Sequence, residues 1–248
     1  MAPLPNACTL SGISDPISSL SHLIAAGLAC VAAIRLVRLA NKNRGRRIAL
    51  AVYAFCVVAL LSVSGVYHSL RNGPARVVMQ HADYLAIWFL IAGTFTAIHG
   101  VMCRGFWRRW MLTFVWLYVA AAVASQLIWF KCLTGSVGLL MYLVLGWAGL
   151  ATVIKVGRHI GFRAMRPLWS AGLVFSVGAV LEAFHKPVLI PCWLGPHEVF
   201  HFAVIAGAGI HWRFIRRLVL VYAPSEQEGQ APGVGAIRMS PALATALK

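Results

Sequence analysis

Three histidines carry the strongest chemical signal in this sequence. His197 and His201 stand four residues apart in Pro196-His197-Glu198-Val199-Phe200-His201. On a helix such a pair shares one face, with side chains about 5–6 Å apart, so both imidazoles can reach one metal ion. Pro196 suits the first turn of that helix. Two imidazoles do not complete a site, and His68, ending the apolar run in Ser64-Gly65-Val66-Tyr67-His68, is the candidate third ligand. Three imidazoles with an open fourth position form the ligand set of a catalytic zinc.

Carboxylates are few: Asp15, Asp83, Glu182, Glu198, Glu226 and Glu228. An ionisable group within a membrane span costs about 2.5–3.5 kcal/mol on insertion scales, which makes each one near a span a functional candidate. Asp83 opens an apolar run; it could bind the metal, hold a water or act as its base, and a helix N-cap is its competing role. Glu198 reads as a solvated first-turn carboxylate near the helix dipole. Glu182 reads as the i+4 partner of Lys186. His22, His81, His99, His159, His185 and His211 have no partner spacing and are read as structural. The HExxH pattern of residues 197–201 also permits a zinc-protease reading with Glu198 as base, but no acid follows within the body to complete it.

The elements that must position these groups lie in lipid. The 248 residues are 60% hydrophobic and only 11% charged. An ordinary soluble domain carries about 25% charged residues, and a chain this short cannot hide so much apolar surface in its own core. Crossing about 30 Å of hydrocarbon takes about 20 residues of helix. Seven runs qualify or come close: 18–39, 48–68, 83–102, 110–130, 136–154, 168–185 and 198–221. Helices are required, since an open sheet would leave backbone groups unpaired in lipid. The expected architecture is an all-α seven-transmembrane bundle over 18–221, after an N-terminal segment 1–17 and before a disordered tail 222–248. In that topology His68, Asp83, Glu182, His197 and His201 share one membrane face whichever way the chain is inserted.

The 22 Lys and Arg against 6 Asp and Glu give a formal net charge of +16. The cations sit in short clusters between apolar runs (Arg44 to Arg47, Arg108-Arg109, Arg216-Arg217), which excludes a nucleic-acid stripe and matches membrane loops. Alternate segments carry 18 and 4 Lys+Arg, so the positive-inside rule puts the C-terminus in the cytoplasm of a cell-membrane protein and the N-terminus outside. No n-region of a secretory signal is visible. Cys30 and Cys56 read as packing residues, and a disulfide among Cys8, Cys132 and Cys192 is open if that side is oxidising. Gly135-x-x-Gly138 and Gly207-Ala208-Gly209 read as sites of close helix packing, and Trp107, Trp110, Trp129 and Trp193 as interface belts.

Ser64-x-x-x-His68, the run from Asp83-Tyr84 to Thr96, Leu145-Gly146-Trp147 and His197 to His201 together resemble the hemolysin III family. This is the bacterial branch of the progestin-and-adipoQ receptors, in a superfamily with the alkaline ceramidases. The resemblance runs from about Asp15 to His211. It implies seven helices around a zinc ion held by His68, His197 and His201, with Asp83 holding the attacking water and Ser64 in support. Asp15 and His22 fit the family's N-terminal signature; Ser18 stands where Asn is usual, and Tyr84 where His is usual. Adiponectin-type receptors place the N-terminus in the cytoplasm, opposite to the charge count. The expected function is a zinc-dependent hydrolase of a lipid amide or ester, with membrane lipids as partners. The alternatives are a receptor-like protein with a structural zinc and a membrane-permeabilising protein.

Overall fold

The computed structural model of the chain describes residues 13–40 and 43–222. Cys8 and the expected tail beyond Tyr222 lie outside the described residues. The described chain is helical: α1 (Pro16–Arg38), α2 (Arg44–Ser69), α3 (Pro74–Met102), α4 (Gly105–Ile128), the single turn α5 (Phe130–Leu133), α6 (Ser136–Trp147), α7 (Gly149–Ile160), α8 (Arg166–Ala183) and α9 (Pro196–Tyr222). Among the described residues, five segments are long and apolar enough to cross a membrane, namely α1, α2, α3, α4 and α6 with α7 taken as one span over Ser136–Ile160. α8 has 18 residues and charged ends at Arg166 and Glu182, and α9 carries three histidines and three arginines, so both are less apolar than those five.

Local chemistry sets the helix starts. Proline occupies the first turn of α1, α3 and α8, where its missing N–H costs nothing. The Asn43 side chain caps α2 by accepting the Arg46 N–H at 2.9 Å. α3 begins nine residues before the apolar run predicts, because its first turns carry Arg76, Gln80 and His81, polar residues that hydropathy passes over. Asp83 is therefore inside α3 and not its N-cap; Gly73 stands at that position. The fifth predicted run, 136–154, extends to Ile160 and is interrupted at Ala148, between Gly146 and Gly149. Gly161, at φ +90, ends α7 in the left-handed region that favours glycine.

α1 packs along α2, α2 along α3, and α8 along α9, while α9 returns against α1 and α3. This return brings the end of the chain to its beginning. Small residues let the helices approach: a methyl group on Gly178 of α8 would meet the Ala203 Cβ of α9 at 2.5 Å, and one on Gly207 would meet the Phe175 ring. Gly207 thus packs as its sequence context predicts, whereas Gly209 faces open space. Cys56 is buried against Gly93, but Cys30 is exposed on α1 and is not a packing residue. Cys132 and Cys192 are both free thiols.

Gly178→Ala is expected to cost about 1–3 kcal/mol by overpacking the α8–α9 contact. Gly146→Ala meets nothing within 4 Å and should leave stability level or slightly raised. Thermal unfolding in detergent checks this; equal midpoints for the two variants would contradict the close contact.

Candidate metal centre

His68 sits in the last turn of α2, and His197 and His201 in the first two turns of α9. With α9 packed across α1, their rings converge. His197 Nε2 lies 3.3 Å from His68 Nε2 and 3.0 Å from His201 Nε2, and the three ligand atoms all lie within 4.8 Å of one another. Two nitrogens, each about 2.0–2.1 Å from a tetrahedral zinc, stand about 3.3 Å apart. The spacing fits that ion.

The far side of each ring explains the convergence. His68 Nδ1 is 2.9 Å from Asp15 Oδ2, and His197 Nδ1 is 3.1 Å from Glu182 Oε1. An ionised carboxylate only accepts hydrogen bonds, so each imidazole, when neutral, carries its proton on Nδ1 and presents a lone pair at Nε2. Two lone pairs facing each other at 3.3 Å repel unless a positive charge lies between them. His201 Nδ1 faces the His22 ring at 3.0 Å, with ring centroids 4.2 Å apart. Each candidate ligand thus has an outer partner at Nδ1, the arrangement that fixes tautomer and ring orientation in metal-binding histidines.

Asp15 is itself pinned. Its N–H donates to the His68 carbonyl at 3.0 Å, and Arg76 Nη2 donates to Oδ2 at 2.6 Å. Burial pushes this carboxyl up, but the hydrogen bonds from His68 and Arg76 outweigh it and hold the pKa down to about 2. Asp15 stays ionised at neutral pH. Ser19 Oγ donates to the Gly65 carbonyl at 2.9 Å, a second tie between the start of α1 and the end of α2.

Of the other predicted site residues, Ser64 lies buried in α2 one turn before His68. It lines the same cavity as Asp83 and His197. Asp83 stands beside the three histidines without joining their ligand set. Glu182 pairs with His197 and not with Lys186, because the chain turns back after Ala183 and carries Lys186 off the helical face. Glu198 has both oxygens engaged: Oε2 accepts the Gly195 N–H at 2.9 Å and Oε1 accepts from Ser18 Oγ at 3.1 Å. That is a cap on α9 tied to α1, and it argues against Glu198 as a protease base.

Sequence reasoning from spacing alone missed His22, Arg76 and the Nδ1 role of Asp15. Asp15 and His22 do stand seven residues apart, one face of two helical turns, but nothing local pairs them with α2 and α9.

A cavity of 830 Å³ extends from this cluster into the bundle. From α9 it is lined by His197, His201, Val204, Ala208 and His211, a 4-3-4-3 spacing along one helix face, and by Phe200 beside them. Its remaining walls come largely from α3, α6 and α8 and are mostly apolar, with Ile87, Leu90, Leu139 and Phe175 among them.

The family model described as haemolysin-III related matches residues 12–212 of the chain. The chain belongs to the hemolysin III family. Hemolysin-3 of Bacillus cereus is 23% identical over 195 residues, covering 78% of this chain and 86% of that protein. A Hemolysin-3 homolog of Bacillus subtilis is 23% identical over 157 residues, covering 63% and 70%. The matched region of this hemolysin III family member contains all the residues that build the histidine cluster. Together with the five long apolar helices, membership makes the chain a multi-pass membrane protein.

Asp15→Asn and Glu182→Gln are each expected to weaken zinc binding about 10–100-fold by freeing a ligand ring. Competition with a chromogenic chelator measures this, with His81→Ala, which stacks on Phe130 away from the cluster, as the unaffected control. Undiminished affinity in both carboxylate variants would contradict the role given to the Nδ1 partners.

Proposed function

We propose that this protein is a zinc-dependent membrane hydrolase of a lipid amide or ester. The observation that carries the proposal is the facing of three imidazole Nε2 atoms beside a cavity whose wall also holds Asp83 and Ser64. His68, His197 and His201 are the residues that would hold zinc. A bound zinc would supply a Lewis acid that polarises a carbonyl and acidifies water. The apolar walls would take the acyl chain, with its carbonyl next to the cluster. Asp83 accepts the proton of the attacking water and returns it to the leaving amine or alcohol, so the net reaction adds one water across the bond. Ser64, on the wall of the same cavity, would orient that carboxyl. In this reading α8 and α9 complete seven spans, and the charge asymmetry puts the histidine cluster and N-terminus outside and the C-terminus in the cytoplasm.

A second reading, a receptor-like protein with a structural metal, draws on one observation: the cluster joins α2 to α9, with partners from α1 and α8. A metal there contributes folding energy whether or not any reaction occurs. The names of the relatives suggest a third, membrane lysis, marked by leakage from dye-loaded vesicles that is independent of Asp83.

Elemental analysis of purified protein should find near-stoichiometric zinc, lost in His197→Ala. On a panel of lipid amides and esters, Asp83→Asn should keep its fold and metal and lose about 10²–10⁴-fold in turnover, the usual range for a general acid–base. Zinc in the wild type with no released fatty acid would set the hydrolase aside in favour of the structural metal.

A further inference from the structure

The connection between α8 and α9 is built unlike an aqueous loop. Phe184, Val188, Leu189 and Ile190 are between 52 and 74% exposed, and Trp193 is 38% exposed. No acid stands between Glu182 and Glu198, and Lys186 is the one Lys or Arg. The backbone is closed on itself. Leu189 and Ile190 N–H both donate to the Leu194 carbonyl, and Trp193 and Leu194 N–H donate back to Ile190. The Phe184, His185 and Lys186 N–H groups return to the last turn of α8, and Gly195 donates to Glu198. Pro187 and Pro191 have no N–H to satisfy. Eight of the ten N–H groups between Phe184 and Gly195 therefore have an acceptor within the protein.

Water would satisfy those groups in a soluble loop; internal pairing matters where water is scarce, because an unpaired backbone group in an apolar phase costs several kcal/mol. A cluster of exposed apolar side chains marks an interaction surface. We propose that the 184–195 hairpin is a membrane-inserted wedge, seated in the leaflet on the side of the histidine cluster. The bilayer is the occupant the observations favour. The hairpin leaves and re-joins helices whose outer faces are already apolar, with Val177 and Val180 exposed on α8. Lys186 is placed to meet anionic headgroups, and Trp193 is a residue of the membrane interface.

The wedge is joined to the candidate metal centre at both ends. Glu182, in the last turn of α8, accepts from His197, in the first turn of α9, and His185 lines the cavity. Seated in lipid, the hairpin would put the mouth of the cavity at the depth of acyl chains, so that a lipid could reach it without crossing water. Insertion itself is independent of any metal or turnover, so the proposal stands or falls apart from the function proposed above.

The test uses full-length protein in phosphatidylcholine and phosphatidylglycerol vesicles. A nitroxide at Leu189→Cys, in a chain whose native cysteines are replaced by alanine or serine, reports collisions with oxygen and with a water-soluble nickel chelate. The expected ratio favours oxygen several-fold over a label at Asn72 and approaches that of a label at Leu28, on the outer face of α1. A ratio matching Asn72 would overturn the wedge. In case that chain does not fold, a photoreactive benzoylphenylalanine at Ile190 in the native-cysteine chain gives an independent answer. A phospholipid adduct supports insertion; an adduct to a second copy of the chain, or none, overturns it.

Discussion

Two neutral imidazoles that turn their Nε2 lone pairs on each other at contact distance favour a positive charge between them, and the rest of this structure is arranged around that pair. Asp15 fixes the proton of His68 on Nδ1, Glu182 does the same for His197, and the two Nε2 atoms are left 3.3 Å apart. His22 stands in the equivalent place behind His201. If a ring could turn over, the cluster would relax into ordinary hydrogen bonds; the outer partners prevent it. The carboxylates thus act on the chemistry through orientation, without touching whatever binds between the rings.

The helix packing follows the same requirement. Asp15 precedes α1, His68 ends α2, Glu182 ends α8, and His197 begins α9, so four helix ends meet at one cluster. The close α8–α9 contact at Gly178 lies one helical turn before Glu182. Ser19 and Asp15 tie the start of α1 to the end of α2 through backbone carbonyls, and Ser18 ties it to Glu198 on α9. The Ser18 hydroxyl is thus a polar link from α1 to α9. Below this rim the cavity walls are apolar, which suits a hydrocarbon chain and leaves the polar groups concentrated at one end.

Much of this was legible before the structure. Hydrophobic runs placed the helices, and the alternation of spans put His68, Asp83, His197 and His201 on one face by parity alone. The i, i+4 spacing of His197 and His201 identified the pair. Three things were not legible, each for a physical reason. α3 starts on polar residues, so hydropathy missed its first turns and cast Asp83 as a candidate cap. Glu182 had a plausible local partner in Lys186, and only the hairpin reversal shows that His197 takes it instead. The pairings of Asp15 with His68 and of His22 with His201 span 53 and 179 residues, and no periodicity encodes a contact at that range. Local spacing reveals ligands that share a helix; the groups that orient them come from elsewhere in the chain.

X-ray absorption at the zinc edge on the purified, membrane-reconstituted protein addresses the cluster directly. Three imidazole nitrogens should appear at about 2.0–2.1 Å with one oxygen scatterer, the shell of an open three-histidine site. A first shell lacking imidazole, or a native protein free of metal, would contradict the arrangement of His68, His197 and His201 around a common ion.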